Sequence, residues 1–174
     1  MPQPRFFYFD LGNVLLNFDH RLAVRRLAQL TDLAESVVHD TIFTSGWQES
    51  YERGDVTSDE FADYFRAQNQ ISLPTGELLA ACSEIFELNV AVIPIVAHLR
   101  AAGHRLGVLS NTCAAHWQYV ATGRYTILNT SFERYILSYE IGSMKPTATI
   151  YERAIAATGV SVSYTHLDVY KRQS

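Results

Sequence analysis

Cysteine is scarce in these 174 residues: Cys82 and Cys113 are the only two, and they form no CxxC pair. Neither has paired histidines at zinc spacing, so a disulfide scaffold and a zinc module are both excluded, and a reducing cytoplasm fits. Glycine and proline are few, at 9 and 5 residues, and the apolar share is 48%. Collagen-like repeats and wholesale disorder are therefore excluded. There is no positive excess either: 14 Lys+Arg face 18 Asp+Glu for a net charge of −4. That leaves no electrostatic footprint for nucleic acid. The longest apolar run, Val90 to Ala97, is far short of the ~20 residues a membrane span needs. The start, MPQPRFFYFD, lacks the apolar stretch of a secretory signal. These absences predict a soluble cytoplasmic protein that engages neither nucleic acid nor membrane. The length predicts one domain, or one domain with an insert.

What is present is a strand, a long helical stretch, and then alternating strands and helices. Arg5 to Asp10 (RFFYFD) is a near-continuous apolar run ending in a carboxylate and followed by the turn residues Gly12 and Asn13. It reads as a strand, and its unbroken apolar character predicts a central parallel one. From Asp19 the spacing is helical: Leu22, Ala23, Leu27 and Leu30 mark one helix, and Val37, Val38 and Ile42 another. A segment around Trp47 and Tyr51 closes at Gly54. Thr57-x-x-Glu60 reads as a capping box opening a helix that carries Phe61, Tyr64 and Phe65. Pro74 and Thr75 open one more, carrying Leu78, Leu79, Cys82, Ile85 and Phe86. Residues 19–87 thus read as an all-helical insert.

Beyond the insert, Pro94 to Ala101 is a helix stopped by Gly103. His104 to Leu109 is a second strand running into Ser110-Asn111-Thr112, and a helix follows around Ala114 to Val120. Tyr135 to Leu137 is a third strand, and Pro146 opens a helix through Ile150, Tyr151, Ala154 and Ile155 to Gly159. This order predicts an α/β domain with a Rossmann-like parallel sheet, formed by residues 1–18 and 88–161. In such sheets ligands bind beyond the carboxyl ends of the strands.

Polar residues collect at those ends. Asp10 is placed either to attack an electrophile and hold Mg²⁺, or simply to cap a turn. Ser110, Asn111 and Thr112 offer hydroxyls and N–H groups to an anion, or N-cap a helix. Lys145, before Pro146 at a helix start, is either solvated or neutralises a bound anion.

Taken together, FYFDLGNVL, LGVLSNT and GSMKPTATIYERAI resemble the first three motifs of the haloacid dehalogenase-like hydrolase superfamily. The resemblance runs from about Arg5 to Gly159. The Phe-Asp-Leu-Gly-Asn-Val form is similar to a subgroup of bacterial sugar-phosphate phosphatases that includes a glucose-1-phosphate phosphatase. It implies Asp10 as the nucleophile, forming an aspartyl-phosphate and ligating Mg²⁺ with the backbone carbonyl of Gly12. It implies Ser110 and the amide of Asn111 as phosphate-binding groups, with Lys145 bridging nucleophile and phosphate. The helical insert matches the superfamily's small cap. The implied substrate is a small phosphorylated metabolite, a sugar phosphate in this subgroup.

The sequence departs from that pattern in two places. Most phosphatases of the superfamily carry an acid/base Asp two positions after the nucleophile, where this chain has Gly12. Asp19 is one candidate for the role, or else a helix N-cap. The fourth motif, whose acidic residues complete the Mg²⁺ site, is not found. Residues Val162 to Gln173, VSYTHLDVYKRQ, resemble the translation of a sequencing-transposon end. Residues 162–174 are thus expected to be a non-native tail, and the 174-residue chain to be truncated and inactive. Within WQESYERG, Trp47, Glu52 and Arg53 either face the site or serve packing and solvation. His20, His39, His98, His104 and His116 show no metal spacing, and Cys113 reads as a small buried residue. Two other functions fit the same residues: carbon–halogen hydrolysis through an ester at Asp10 without metal, and non-catalytic binding of a phospholigand.

Overall fold

The computed structural model describes residues 5–159; the expected non-native tail, 162–174, lies outside the described residues. Strand β1 (Phe6–Phe9) leads through a tight loop to β2 (Leu16–Phe18). Five α-helices follow, with a π-helical segment (Asp40–Thr44) after the second: α1 (His20–Thr31), α2 (Glu35–His39), α3 (Trp47–Arg53), α4 (Ser58–Asn69) and α5 (Thr75–Ser83). Strand β3 (Phe86–Leu88) then returns to pair antiparallel with β2, so the helical stretch hangs on a two-stranded stem. The remainder alternates: α6 (Ile93–Ala101), β4 (Arg105–Ser110), α7 (Ala114–Ala121), α8 (Thr126–Ser131), β5 (Arg134–Leu137), α9 (Ser138–Ile141) and α10 (Ala148–Thr158).

The main sheet is parallel, in the order β1-β4-β5. This is the expected α/β architecture, with one correction. Among the described residues β4, not β1, is the central strand: β4 is buried from Leu106 onward, while all four residues of β1 are only partly buried. The aromatic run in β1 covers the sheet faces without needing a strand on each side. Leu11, Val96, Leu106, Val108, Val120 and Leu128 form the core beneath one face, closed by α6, α7 and α8. Leu109, Ile136, Ile150 and Ala154 pack under α10 on the other.

The helical stretch has its own core around Leu27, Val38, Phe61, Phe65 and Leu78. Phe65 is 1% exposed, and truncating such a side chain to Ala costs about 3–5 kcal/mol. The Thr57/Glu60 capping box is present, each side chain bonding the other's backbone N–H. Two expectations on these helices fail. Leu30 is 51% exposed, its place on the buried stripe being taken by Val24 and Leu27. Helix α5 stops at Ser83, and Phe86 belongs to β3, where it faces Phe18. A three-residue strand whose partner lies some seventy positions away has no local signature.

Candidate active site

Parallel strands deliver their carboxyl ends to one edge. Phe9 is level with Val108 and Ser110 with Leu137, so Asp10, Ser110–Thr112 and Ser138 emerge side by side. Asp10 Oδ1 accepts the backbone N–H of Leu11 at 2.8 Å, and Oδ2 lies 2.6 Å from Lys145 Nζ. The same ammonium donates to the Leu109 carbonyl at 3.0 Å, and the Lys145 side chain is 17% exposed. Lys145 does not stand at the helix start, because α10 begins at Ala148 behind an N-terminal Thr147. Its charge is directed at the ends of β1 and β4 instead.

Asn111 holds that lysine from behind. Its Oδ1 accepts Lys145 N–H at 2.7 Å, and its Nδ2 donates to the Lys145 carbonyl at 3.0 Å. Ser110 is buried, with Oγ donating to the Asn111 carbonyl at 3.1 Å.

Beside these groups lies a cavity of about 40 Å³ lined by Gly12, Ser110, Asn111, Glu52, His20 and His116, among others. It has room for about three or four waters, at ~10–15 Å³ each. The Phe18 ring also lines it and fills the space next to position 12: a Cβ there would sit 2.6 Å from a ring carbon. The loop around Gly12 is held by its neighbours, with Leu16 N–H on the Leu11 carbonyl and Asn13 N–H on the Leu16 carbonyl. The Gly12 carbonyl takes no part in that bridge. Among the described residues no group of three His, Cys, Asp or Glu side chains is arranged to hold a metal. Asp10 and the Gly12 carbonyl still suit Mg²⁺, which keeps several waters and is held by one or two carboxylates plus substrate phosphate oxygens.

Helix α3 carries Glu52 to this cavity and is fastened to the sheet domain at three points. Ser138 Oγ lies 2.5 Å from the Glu52 carbonyl and also accepts Thr112 N–H at 2.9 Å. Tyr51 Oη accepts Ala115 N–H at 3.0 Å. Gly54, at φ +83°, lies so close that a Cβ would come within 2.2 Å of the Tyr139 carbonyl oxygen. Burial raises the Glu52 carboxyl above its ordinary value, against the opposing bond from Gln48 Nε2 at 2.9 Å.

The other candidates are elsewhere. Trp47 stacks on Tyr64 at 4.0 Å, and Arg53 pairs with Glu49 and Asp55. Asp19 caps α1 and pairs with Arg21 at the surface; the Arg21 bonds hold its carboxyl below the usual range. Cys113 is buried among the helices, where burial pushes its thiol up. His20 and His116, which had no role by spacing, both reach the cavity. Burial lowers each, His116 to about 4. Ser138 was also missed. The one available signal was its place at the carboxyl end of a strand, where Asp10 and Ser110 also stand.

No family model matches the sequence. Solved structures do. A wild-type HAD family enzyme of Bacteroides thetaiotaomicron, in complex with magnesium and inorganic phosphate, matches with a TM-score of 0.73 at 24% identity, over 90% of this chain and 79% of that one. This chain has the HAD fold. A predicted HAD-like family hydrolase of Porphyromonas gingivalis gives 0.73 at 22% identity, over 90% and 77%. The L-2-haloacid dehalogenase of Xanthobacter autotrophicus, with chloropropionic acid covalently bound, gives 0.60 at 16%, over 91% and 66%. In this chain's version of the HAD fold, the strand ends bring Asp10, Lys145 and Asn111 together.

Proposed function

We propose that the protein is a Mg²⁺-dependent phosphomonoester hydrolase that acts on a small phosphorylated metabolite, a sugar phosphate, through an aspartyl-phosphate at Asp10. The observation that carries this reading is the Lys145 ammonium, 2.6 Å from the Asp10 carboxylate at the strand ends. A carboxylate alone would repel a phosphate dianion, whereas a fixed cation beside it draws the dianion in and offsets charge as the phosphoryl group transfers. Ser110 Oγ and the backbone N–H of Asn111 bind phosphoryl oxygens. Asn111 also fixes Lys145, so the cation needs no reorganisation when substrate arrives. Bound Mg²⁺, held by Asp10 and the Gly12 carbonyl, supplies further neutralisation of the phosphate. The helices between β2 and β3 act as a cap that shields the site from water. Buried free Cys82 and Cys113 agree with a cytoplasmic setting.

The described residues contribute only one carboxylate to the metal. The test is phosphate release from a panel of phosphate esters by the full-length gene product, with and without Mg²⁺, beside the 174-residue chain. Expected is Mg²⁺-dependent release by the former and little by the latter. Chloride release from 2-haloacids with no need for Mg²⁺ would favour the dehalogenase reading, which the Xanthobacter neighbour's covalent adduct keeps in view. Tight binding of phosphorylated ligands without turnover would favour a non-catalytic role.

A further inference from the structure

We propose that Glu52, delivered by helix α3 to the cavity it shares with Gly12, Ser110 and Asn111, is the general acid and base of this site. The inference rests on the phosphatase reading above and supplies the proton carrier which that reading lacks.

The position two residues after Asp10 cannot supply it. It is glycine, and the Phe18 ring occupies the space a side chain would need, 2.6 Å from the Cβ position. Any acid must therefore enter from another element. Three residues with titratable side chains line the cavity: Glu52, His20 and His116. His116 is 7% exposed and directs Nε2 at the Cys82 carbonyl, 3.2 Å away. His20 is wedged edge-on between the Phe18 and Phe43 rings. Both imidazoles are held neutral by burial, so neither is charged to donate at neutral pH. Burial acts oppositely on a carboxyl: it favours the protonated form and brings the group closer to neutrality, where an acid/base catalyst works best. Contacts with the sheet domain hold the backbone of Glu52 in place. Its carbonyl is tied to Ser138, and its neighbours Tyr51 and Gly54 are seated against Ala115 and Tyr139.

The step balances. An Asp10 oxygen bonds to phosphorus as the P–O bond to the alcohol breaks, and the departing oxygen takes the Glu52 proton. That leaves the alcohol, phosphorylated Asp10 and a Glu52 carboxylate. Water then bonds to phosphorus while Glu52 takes its proton and the P–O bond to Asp10 breaks. Inorganic phosphate, the Asp10 carboxylate and protonated Glu52 result.

The test uses the full-length gene product, its E52Q variant and an Asp10→Asn control, with Mg²⁺, on a sugar phosphate and on p-nitrophenyl phosphate. Loss of a general acid costs ~10²–10⁴-fold where the leaving group needs a proton. Expected is a loss in that range for E52Q on the sugar phosphate. On p-nitrophenyl phosphate the first turnover should fall less than ~10-fold, because the phenolate leaves unprotonated. With its base gone, E52Q should also accumulate phosphate on Asp10, seen as added mass on the Asp10 peptide. Equal slowing of both esters with no trapped phosphate would overturn the role of Glu52 and reduce it to a packing residue. A wild-type protein that cleaves neither ester would overturn the phosphatase reading itself, and this role with it. Thermal melts of E52Q matching wild type exclude misfolding as the cause.

Discussion

Asn111 and Lys145 hold each other twice: the lysine's backbone N–H meets Asn111 Oδ1 at 2.7 Å, and its carbonyl meets Asn111 Nδ2 at 3.0 Å. A side chain at the end of β4 thereby sets the backbone of a loop thirty-four residues later, and with it the ammonium that lies on Asp10. Asn111→Ala removes both bonds, each worth about 0.5–1.5 kcal/mol net. A stability loss of about 1–3 kcal/mol in urea titrations should follow, with kcat/KM reduced ~10-fold or more as Lys145 loses its aim. Asn111→Asp keeps the acceptor but sets a carboxylate against the Lys145 carbonyl, so it should be the worse variant by both measures.

Lys145 should act through charge. Lys145→Ala is expected to lower kcat/KM by ~10²-fold or more, the usual cost of losing one preorganised transition-state donor. Lys145→Arg should rescue poorly, because a planar fork does not fit a point charge shared by Asp10 Oδ2 and the Leu109 carbonyl. Steady-state kinetics on one substrate across wild type, Ala and Arg decides it. An Ala variant with wild-type kinetics would return Lys145 to a surface role.

Asp10→Asn should abolish turnover while leaving the fold intact, because the amide keeps the shape and still accepts the Leu11 N–H. Circular dichroism and the melting temperature should match wild type. Phosphate release above a mock purification would remove Asp10 as the nucleophile.

Stability should fall as the solution is acidified, and His116 sets the window. Its value is about 4 in the fold against 6.5 for the free side chain, because burial disfavours the charged ring. The folded value is depressed, so above pH 6.5 neither state binds the proton and stability is full. As pH falls from 6.5 toward 4 the unfolded chain binds it and the folded one does not. A loss of about 3 kcal/mol accumulates across that window. His20, lowered by the same cause, adds in the same direction. Urea titrations of wild type and His116→Gln at several pH values should show a shallower slope in the variant.

Gly54→Ala tests the seat of α3. The new Cβ would meet the Tyr139 carbonyl from a left-handed backbone, so a loss of about 2 kcal/mol or more is expected. If Glu52 works from that seat, turnover of alkyl phosphates should fall further than turnover of p-nitrophenyl phosphate. Equal loss on both would separate the seat from the chemistry.

Much of the sheet was legible because each strand carries its own signal. RFFYFD and HRLGVL are apolar runs with polar tips, and a parallel sheet brings such tips to one edge whatever their distance along the chain. Asp10, Ser110 and Asn111 could be gathered on that rule alone. The Thr57/Glu60 capping box was legible for a similar reason, since both partners lie within one helical turn. The stem of β2 and β3 was not, because Leu16 and Leu88 acquire meaning only by pairing. Nor was the doubled bond between Asn111 and Lys145, in which the side chain of one residue reads the backbone of the other.

The sequence by itself determined that this chain is an α/β domain with a helical insert and a carboxylate at the tip of its first strand. Those are properties of local periodicity and of the residue that ends each run. Only the tertiary structure decided which side chains share the cavity. Glu52 lies on α3 inside the helical insert and His116 on α7 after β4, and nothing in their spacing relates them to Gly12. Ser138, Tyr51 and Gly54 bring Glu52 there through contacts between the insert and the strand ends. Such contacts depend on shape and on single hydrogen bonds across the fold, which leave no periodic trace along a chain.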